Sequence, residues 1–149
     1  MLKKTIDTLH ETGCSLVVEK DGAVLLYYQK GVRDLEELLD NQPQLLRDAS
    51  IADKVIGKAA AGMAIVGGVS ELYADVLSQK AVPLLEEAGV SYSYGTLVEQ
   101  IVYPDGQQRC PLEQIVAGAQ RAEEVVRLLR SHFAEMKKMN NKQLKTIKA

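Results

Sequence analysis

The stretch from residue 50 to residue 67 constrains the fold most, because it is almost wholly apolar and ends at a pair of glycines. Ser50 can accept a hydrogen bond from a free backbone N–H, and Asp53 suits the positive end of a helix. Gly67-Gly68 is typical of a helix end. The pattern predicts one capped helix over 50–67, buried on several sides. Its apolar or small positions recur at helical spacing. They are Ile51, Val55, Ala59, Gly62 and Val66.

Two lysines, Lys54 and Lys58, lie one turn apart near the start of this predicted helix. Like charges at that spacing repel each other unless an anion lies beside them. One interpretation is that they bind an anionic ligand. The other is that their stems extend to solvent or that they pair with an acid such as Asp53. Both interpretations stay open at this point.

Composition limits the class of protein. A chain of 149 residues with 46% hydrophobic and 26% charged residues is expected to form one soluble domain with a substantial core. A net charge of -2 argues against a general nucleic-acid binder. No apolar run reaches membrane-spanning length, no apolar signal segment follows Met1, and two cysteines do not make a disulfide framework. We therefore expect a cytoplasmic protein with one domain over 1–139 and a basic, frayed tail over 140–149.

Before residue 50 the chain predicts a short helix, a hairpin and a second short helix. Asp21-Gly22 between two apolar runs is a strong hairpin signal, and Pro43 follows the second helix. After residue 67 we expect a buried strand over 71–77, a helix over 79–88 capped by Ser78, and a strand over 90–94. Pro83 either costs that helix one early bond or marks a later start. Tyr92 and Tyr94 pack in the core or stack on a ligand ring.

The C-terminal part predicts helix. Proline is preferred at the first helical position, which places Cys110 at the cap before Pro111. The apolar seam that follows belongs to one long helix, or to two helices broken near Gly118. It packs within the chain or against a second copy of it. Its members are Ile115, Ala119, Ala122, Val126, Leu129, Phe133 and Met136.

A hairpin followed by strand–helix–strand steps predicts an α/β fold with a mixed sheet of about 4–5 strands and helices on both faces. The strands over 71–77 and 90–94 should be parallel. Ligands in such sheets tend to lie at strand ends, beside helix N-termini. The candidates there are Ser50, Asp53, Lys54, Ser78 and Cys110.

Four pieces of the chain together resemble a known family. They are the Asp-Lys-Val-Ile-Gly-Lys-Ala-Ala-Ala run over 53–61, Tyr-Ala-Asp-Val-Leu-Ser over 73–78, Tyr-Ser-Tyr over 92–94 and Cys-Pro-Leu-Glu over 110–113. In this order the pieces are similar to the bacterial and archaeal family called domain of unknown function 1893. The similarity runs from about Leu9 to about Ala117. It implies a cytidine-deaminase-like fold, a three-layer α/β/α sandwich, and no assigned activity.

The deaminase likeness does not extend to zinc chemistry. Zinc deaminases need a His or Cys with a catalytic Glu at one helix start and Pro-Cys-x-x-Cys at the next. The corresponding positions here carry Lys54 and Lys58, then Ser78 and Lys80. Three protein ligands for zinc cannot be assigned from the sequence. We therefore expect no metal, no cofactor and no zinc-dependent deamination.

Cys110 is the strongest candidate for chemistry, because a thiol at a helix start beside Arg109 can have a lowered pKa. No base is evident except Lys58, and the alternative is a packed cap residue. Glu113 can close the helix cap by bonding back to the Cys110 backbone. Lys58 and Asp53 can form an ion pair that lines the pocket.

Three functions therefore remain. The first is binding of a small anionic or nucleotide-like ligand by Asp53, Lys54, Lys58, Ser78 and Glu113. The second is a metal-free enzyme with Cys110 as nucleophile. The third is an assembly module that forms a homo-oligomer through the C-terminal helix.

Overall fold

The computed structural model describes residues 2–29, 31–102 and 111–148, with side chains as far as residue 140. The chain forms six α-helices and five strands within these ranges, with a 3-10 turn at Pro43–Leu45. The helices are α1 (Leu2–Thr12), α2 (Arg33–Asn41), α3 (Lys58–Gly67), α4 (Val82–Ala88), α5 (Pro111–Val116) and α6 (Ala122–Lys148). The strands are β1 (Leu16–Lys20), β2 (Ala23–Tyr27), β3 (Ser50–Ile56), β4 (Glu71–Ser78) and β5 (Ser91–Val98).

The five strands form one mixed sheet in the order β2-β1-β3-β4-β5. β1 is antiparallel to both of its neighbours, whereas β3, β4 and β5 are parallel. The hairpin predicted at Asp21-Gly22 is confirmed. Both residues have positive φ, 51° and 85°, as a two-residue turn between twisted strands requires. The parallel pairing of β4 with β5 is also confirmed.

Helices cover both faces of the sheet. On one face, α1 buries Leu9 against Val17 and Ala52. Residues of α2 to α6 bury the larger core on the opposite face, where α6 lies on α3. The approach is close, since a Cβ added to Gly62 of α3 would lie 2.5 Å from Cγ1 of Val125 in α6. The predicted three-layer α/β/α architecture is therefore confirmed.

One polar contact also holds α1 to the sheet. Nε2 of His10 lies 2.7 Å from Oδ1 of Asp75 in β4. The hydroxyl of Tyr73 donates to the same oxygen at 2.8 Å. Both His10 and Asp75 keep a substantial part of their side chains exposed, at 50% and 34%.

The prediction of one helix over 50–67 is wrong in its first half. Residues 50–56 form β3, the central strand, and α3 begins only at Lys58 after the cap residue Gly57. Ser50 does not cap a helix, because its Oγ donates to Oε1 of Glu71 on β4 at 2.6 Å. Asp53 and Lys54 consequently lie on the strand. A strand buried on both faces lacks alternation, which explains why its pattern resembled a helix.

The predicted cap at Ser78 is also wrong. Ser78 ends β4, and α4 starts at Val82 with Ala81 as its cap residue. Pro83 therefore lies in the first turn, as the alternative of a later helix start predicted. The helix ends at Gly89, whose φ of 72° is the left-handed cap.

The C-terminal seam is divided between α5 and α6, with the break around Gly118. Ala119, Val126 and Leu129 are buried within the chain, whereas Met136 is 48% exposed. α6 extends to Lys148, and the fraying expected over 140–149 stays a prediction. No helix among the described residues is long and apolar enough to cross a membrane. Pro104-Asp105-Gly106, whose residue types are typical of a turn, lies outside those residues.

Candidate functional site

Two adjoining cavities lie at the carboxyl ends of β3 and β4, on the side of the sheet that carries α3 and α5. Their volumes are about 130 Å³ and 370 Å³. Ile101 and Glu113 line both cavities, so the two spaces share a wall. Ligands of α/β proteins commonly bind at this edge of the sheet.

Five of the predicted candidates line the two cavities, whereas Ser50 lies at the opposite end of β3 and lines neither. Lys58 and Ser78 line the smaller cavity, Asp53 and Lys54 line the larger one, and Glu113 lines both. Three separate parts of the chain thus meet at one edge of the sheet. Cys110 lies outside the described residues, and its predicted nucleophilic role stays a prediction.

Glu113 covers the N-terminus of α3. Its carboxylate accepts hydrogen bonds from the backbone N–H groups of Lys58 and Ala59. A Cβ added to Gly57 would lie 1.5 Å from Oε1 of Glu113, so the glycine makes room for the carboxylate. Burial raises the pKa of Glu113, and its backbone bonds and the charge of Lys58 oppose that rise. The positive helix end therefore already carries an anion from the chain itself.

Glu113 thus caps α3, a helix with which the sequence analysis did not connect it. The predicted bond to the backbone of Cys110 falls outside the described residues. No residue pattern near Glu113 indicates that its partner would be α3, because the contact depends on how α5 docks.

Lys58 projects from the first turn of α3 and spans the gap to α5. Its Nζ donates to the carbonyl oxygen of Ala117 at 3.0 Å. Burial lowers its pKa, and the negative charges of Glu113 and Glu124 oppose the shift. The predicted Lys58–Asp53 ion pair is absent from the ion pairs that the described residues form.

Asp53 is a buried acid on the central strand, with 7% of its surface exposed. Its Oδ1 accepts the N–H of Val55 at 3.3 Å, and the backbone N–H of Lys54 also donates to the carboxylate. Burial raises its pKa from 3.8 to about 7, and negative charges on Asp34 and Asp75 add to the rise. The ammonium of Lys54 instead donates to the carbonyl oxygen of Gly13 at 3.2 Å.

The smaller cavity has a second lysine, Lys80, that the sequence pattern did not identify as a site residue. Lys80 lies two residues beyond β4 and is exposed. Its backbone N–H donates to Oγ of the buried Ser78 at 3.0 Å. A signal was present, since a residue just after a parallel strand lies at the ligand-binding edge of such a sheet.

Other lining residues had no local signal. Gly13 and Ser15 come from the segment before β1, and Tyr28 and Val32 come from the connection between β2 and α2. They reach the larger cavity because β1 is antiparallel to β3, which places the start of β1 beside the end of β3. Ile101 lines both cavities because β5 is parallel to β4, so the residues that follow β5 lie at the same edge of the sheet.

Within the described part of the chain, no group of three or more His, Cys, Asp or Glu side chains is placed to hold a metal ion. Asp53 and Glu113 are the acids that line the larger cavity. The arrangement therefore places Asp53 and Lys54 in the larger cavity and Lys58 and Lys80 in the smaller one, with Glu113 lining both. Asp53 and Glu113 are carboxyl groups with raised pKa values.

The fold and site define an α/β/α protein with a composite cavity at the carboxyl edge of its parallel strands. The chain belongs to the family Domain of unknown function (DUF1893), whose model matches residues 4–133. It is similar to a DUF1893 family protein from Thermotoga maritima, whose crystal structure was determined at 2.70 Å resolution. The TM-score is 0.80 at 26% identity, over 88% of each chain.

The chain also aligns with a diaminohydroxyphosphoribosylaminopyrimidine deaminase/5-amino-6-(5-phosphoribosylamino)uracil reductase from Thermotoga maritima. That alignment covers 63% of this chain and 35% of the other, at 16% identity and a TM-score of 0.40. A similarity this low carries no argument about activity. No curated protein matches the sequence significantly.

Proposed function

We propose that the protein binds a small ligand, anionic or nucleotide-like, across the two adjoining cavities. The observation that carries the proposal is the convergence of Asp53, Lys54, Lys58, Ser78 and Glu113 on spaces that share one wall. The larger cavity, at about 370 Å³, lies within the size range of small-molecule sites in proteins.

The smaller cavity is the part suited to an anion. Lys58 and Lys80 both line it, and Ser78 adds a hydroxyl group. Its volume of about 130 Å³ suits a compact group such as a phosphate. Glu113 already covers the N-terminus of α3, so the lysine side chains rather than the helix end would bind the anion.

The larger cavity is the part suited to a ring. Apolar side chains dominate its walls, and they come from β3, α3, α5 and the segments before α2 and after β5. They include Val32, Val55, Ala59, Ala60, Ile101 and Leu112. Apolar walls with a few polar groups are typical of sites for ring compounds. A ring there and an anionic group beside Lys80 would place one ligand across both cavities.

The test is the melting temperature in phosphate, pyrophosphate, sulfate and nucleoside monophosphates at constant ionic strength. Binding to the folded chain stabilises it by about 2.7 kcal/mol when the ligand is at 100 times its Kd, so we expect a saturable rise. The rise in melting temperature should be lost in Lys80→Met and reduced in Lys58→Met. The side chain of Lys80 makes no described hydrogen bond or ion pair, so its replacement removes none of these contacts within the chain.

Lys3→Met is the matched control, because Lys3 is exposed on α1, on the opposite face of the sheet. It should keep the full rise in melting temperature. Equal shifts in Lys3→Met and Lys80→Met, or no shift with any of these anions, would contradict the proposal.

The exposed Met136 and Met139 keep open the assembly of two copies through the end of α6, which light scattering would detect as a dimer mass. The described contacts favour binding in the cavities over this alternative, because the seam from Ala119 to Leu129 is already packed within the chain.

A further inference from the structure

Asp53 has the surroundings of a binding group without its ligand. The side chain is 7% exposed, lines the larger cavity, and has backbone N–H groups as its hydrogen-bond donors. The ion pairs formed within residues 2–29, 31–102 and 111–140 do not include it. Burying a carboxylate without a cation costs several kcal/mol, and natural proteins rarely keep such a group without a role.

The neighbouring charges increase that cost. Asp34 of α2 is 6% exposed, and its Oδ2 accepts the backbone N–H of Gln29 at 3.0 Å. Asp34 and Asp75 of β4 are close enough for their charges to act on Asp53. Glu113 of α5 lines the same cavity, and the Lys54 ammonium on the same strand is bound to Gly13. Lys54 keeps its charge, but its ammonium is bound to Gly13 and not to Asp53, so the charges acting on the Asp53 carboxylate are those of acids.

The site therefore has two ends of opposite character. Lys58 and Lys80 line the smaller cavity, Asp53 and Lys54 line the larger one, and Glu113 lies on the wall between them, so the lysine pair and Asp53 are at different ends. An anionic ring would be repelled by the Asp53 carboxylate, and a purely apolar ring would leave that carboxylate with backbone donors but no cationic partner. A planar cation or a ring with several N–H donors would satisfy the carboxylate, since paired N–H groups match its two oxygens.

We propose that Asp53 binds the cationic or multiply N–H-donating head of a planar ligand, such as an amidine or an amino-substituted heterocycle. This inference rests on the proposed function for the identity of the site and adds the chemical class of the ligand's ring. The complete ligand is then dipolar, with its anionic group at Lys58 and Lys80 and its N–H-bearing head at Asp53.

Benzamidine, benzamide and benzoate test the inference, because the three molecules share one ring and differ in the charge of the head. We expect benzamidine to bind at least tenfold more tightly than benzamide by titration calorimetry, and benzoate not to bind in the larger cavity. Benzamidine carries no anionic group, so its binding does not depend on Lys58 or Lys80.

Asp53→Asn should lower the affinity for benzamidine at least tenfold. Asp21→Asn is the matched control, because Asp21 lies in the exposed hairpin turn and asparagine tolerates its positive φ. That variant should bind benzamidine within twofold of the parent chain. Circular dichroism and urea unfolding of Asp53→Asn establish that the variant is folded.

The pH dependence is a second readout. The pKa of Asp53 is about 7 without ligand, so the group passes from mostly protonated to mostly ionised between pH 6 and pH 8. Benzamidine stays cationic over that range, and its affinity should rise roughly tenfold. Glu113 also has a raised pKa, so Glu113→Gln separates its contribution from that of Asp53. Asp53→Asn should lose most of the rise.

Equal binding of benzamidine and benzamide, unchanged affinity in folded Asp53→Asn, or no benzamidine binding at millimolar concentration would overturn the inference. If the phosphate-dependent rise in melting temperature persists in that case, the proposed function stands and only the ligand class is wrong. If neither effect is observed, both proposals fail.

Discussion

Two neighbouring units of the same sheet, β3–α3 and β4–α4, start their helices differently. β3 connects to α3 through Gly57 alone, and the carboxylate of Glu113 covers the helix start. β4 connects to α4 through residues 79–81, and the cap residue Ala81 provides no side-chain cap. The two strands are parallel neighbours, but their junctions with the following helices differ. We call the junction after β3 closed, because the Glu113 carboxylate covers the helix start, and the junction after β4 open, because no side chain caps its helix.

The acids of the two strands differ in the same way. Asp53 on β3 is 7% exposed and has backbone donors, whereas Asp75 on β4 is partly exposed and contacts His10 and Tyr73. Burial thus raises the pKa of Asp53 to about 7. A helix start at the end of a parallel strand is therefore not by itself a binding site for an anion. The side chains around it decide what the cavity accepts.

The largest expected effect concerns Asp53 and pH. The folded chain holds the Asp53 proton up to about pH 7, whereas an unfolded chain releases it near the ordinary value of 3.8. The unfolded state binds fewer protons between those values, so the free energy of unfolding falls as pH rises. The loss is on the order of 4 kcal/mol and is complete above pH 7.

Urea unfolding of the parent chain and of Asp53→Asn between pH 4 and pH 8 measures this effect. Asp53→Asn should be more stable than the parent chain at pH 8, and the difference should disappear towards pH 4. Glu113 contributes with the same sign, which is why the difference between the two proteins is the quantity to compare. A difference that does not change with pH would contradict the raised pKa of Asp53.

The next effect concerns the closed junction. Gly57→Ala would place a methyl group where Oε1 of Glu113 lies, and Cγ1 of Ile101 would be 3.1 Å away. The φ of Gly57 is -100°, so the backbone suits alanine and the cost comes from displacing the cap. We expect a loss of about 2 kcal/mol in the free energy of unfolding, the size of a lost helix cap.

A double-mutant cycle with Glu113→Ala identifies the cause. With the carboxylate removed, Gly57→Ala should cost less by at least about 1 kcal/mol. Equal costs in both backgrounds would show that Glu113 does not close the junction.

The open junction should be affected less. Ser78→Ala removes the Oγ that accepts the N–H of Lys80, at a side chain that is 1% exposed. A single hydrogen bond of this kind contributes about 1 kcal/mol, so we expect a smaller loss than for Gly57→Ala. Chemical denaturation of the two variants under one condition makes the comparison. A larger loss in Ser78→Ala would reverse the assignment of open and closed junctions.

The smallest effect is expected at the exposed acid. His10→Gln keeps a hydrogen-bond donor for Asp75, and pairs at partly exposed positions contribute about 0–1 kcal/mol. The free energy of unfolding should therefore change by less than about 0.5 kcal/mol at pH 7. A change as large as that of the Asp53 variant would remove the contrast between β3 and β4.

Most of the architecture follows from local signals in the sequence. Asp21-Gly22 predicted the hairpin, and the end of α4 at Ala88 was predicted, whereas its start was placed at Gln79 instead of Val82. The central strand did not follow, because Ile51 and Val55 fit a helical repeat while Ser50 and Asp53 imitate a helix start. Only its position between β1 and β4 makes residues 50–56 a strand, and that position is not encoded by any local pattern.

The site residues also separate into those that a local sequence signal indicates and those that it does not. Lys58 and Ser78 were predicted as site residues from helix starts expected near Ser50 and at Ser78, and both helices start later than expected. The two residues lie near each other because β3 and β4 are parallel and end at the same edge. The partner of Glu113 could not be predicted, since it depends on the docking of α5 against Gly57. Tyr28 reaches the larger cavity through an antiparallel neighbour of β3, a relation with no signature near Tyr28 itself.

The complete burial of Cys14, beneath α1, has a practical consequence. The sequence contains two cysteines, so any maleimide dye that reacts with the folded protein is attached at Cys110 rather than at Cys14. A fluorophore attached there would lie three residues from Glu113 along the chain. Its emission can therefore be followed while ligands are titrated, and full denaturation supplies the second thiol as an internal standard for counting labels.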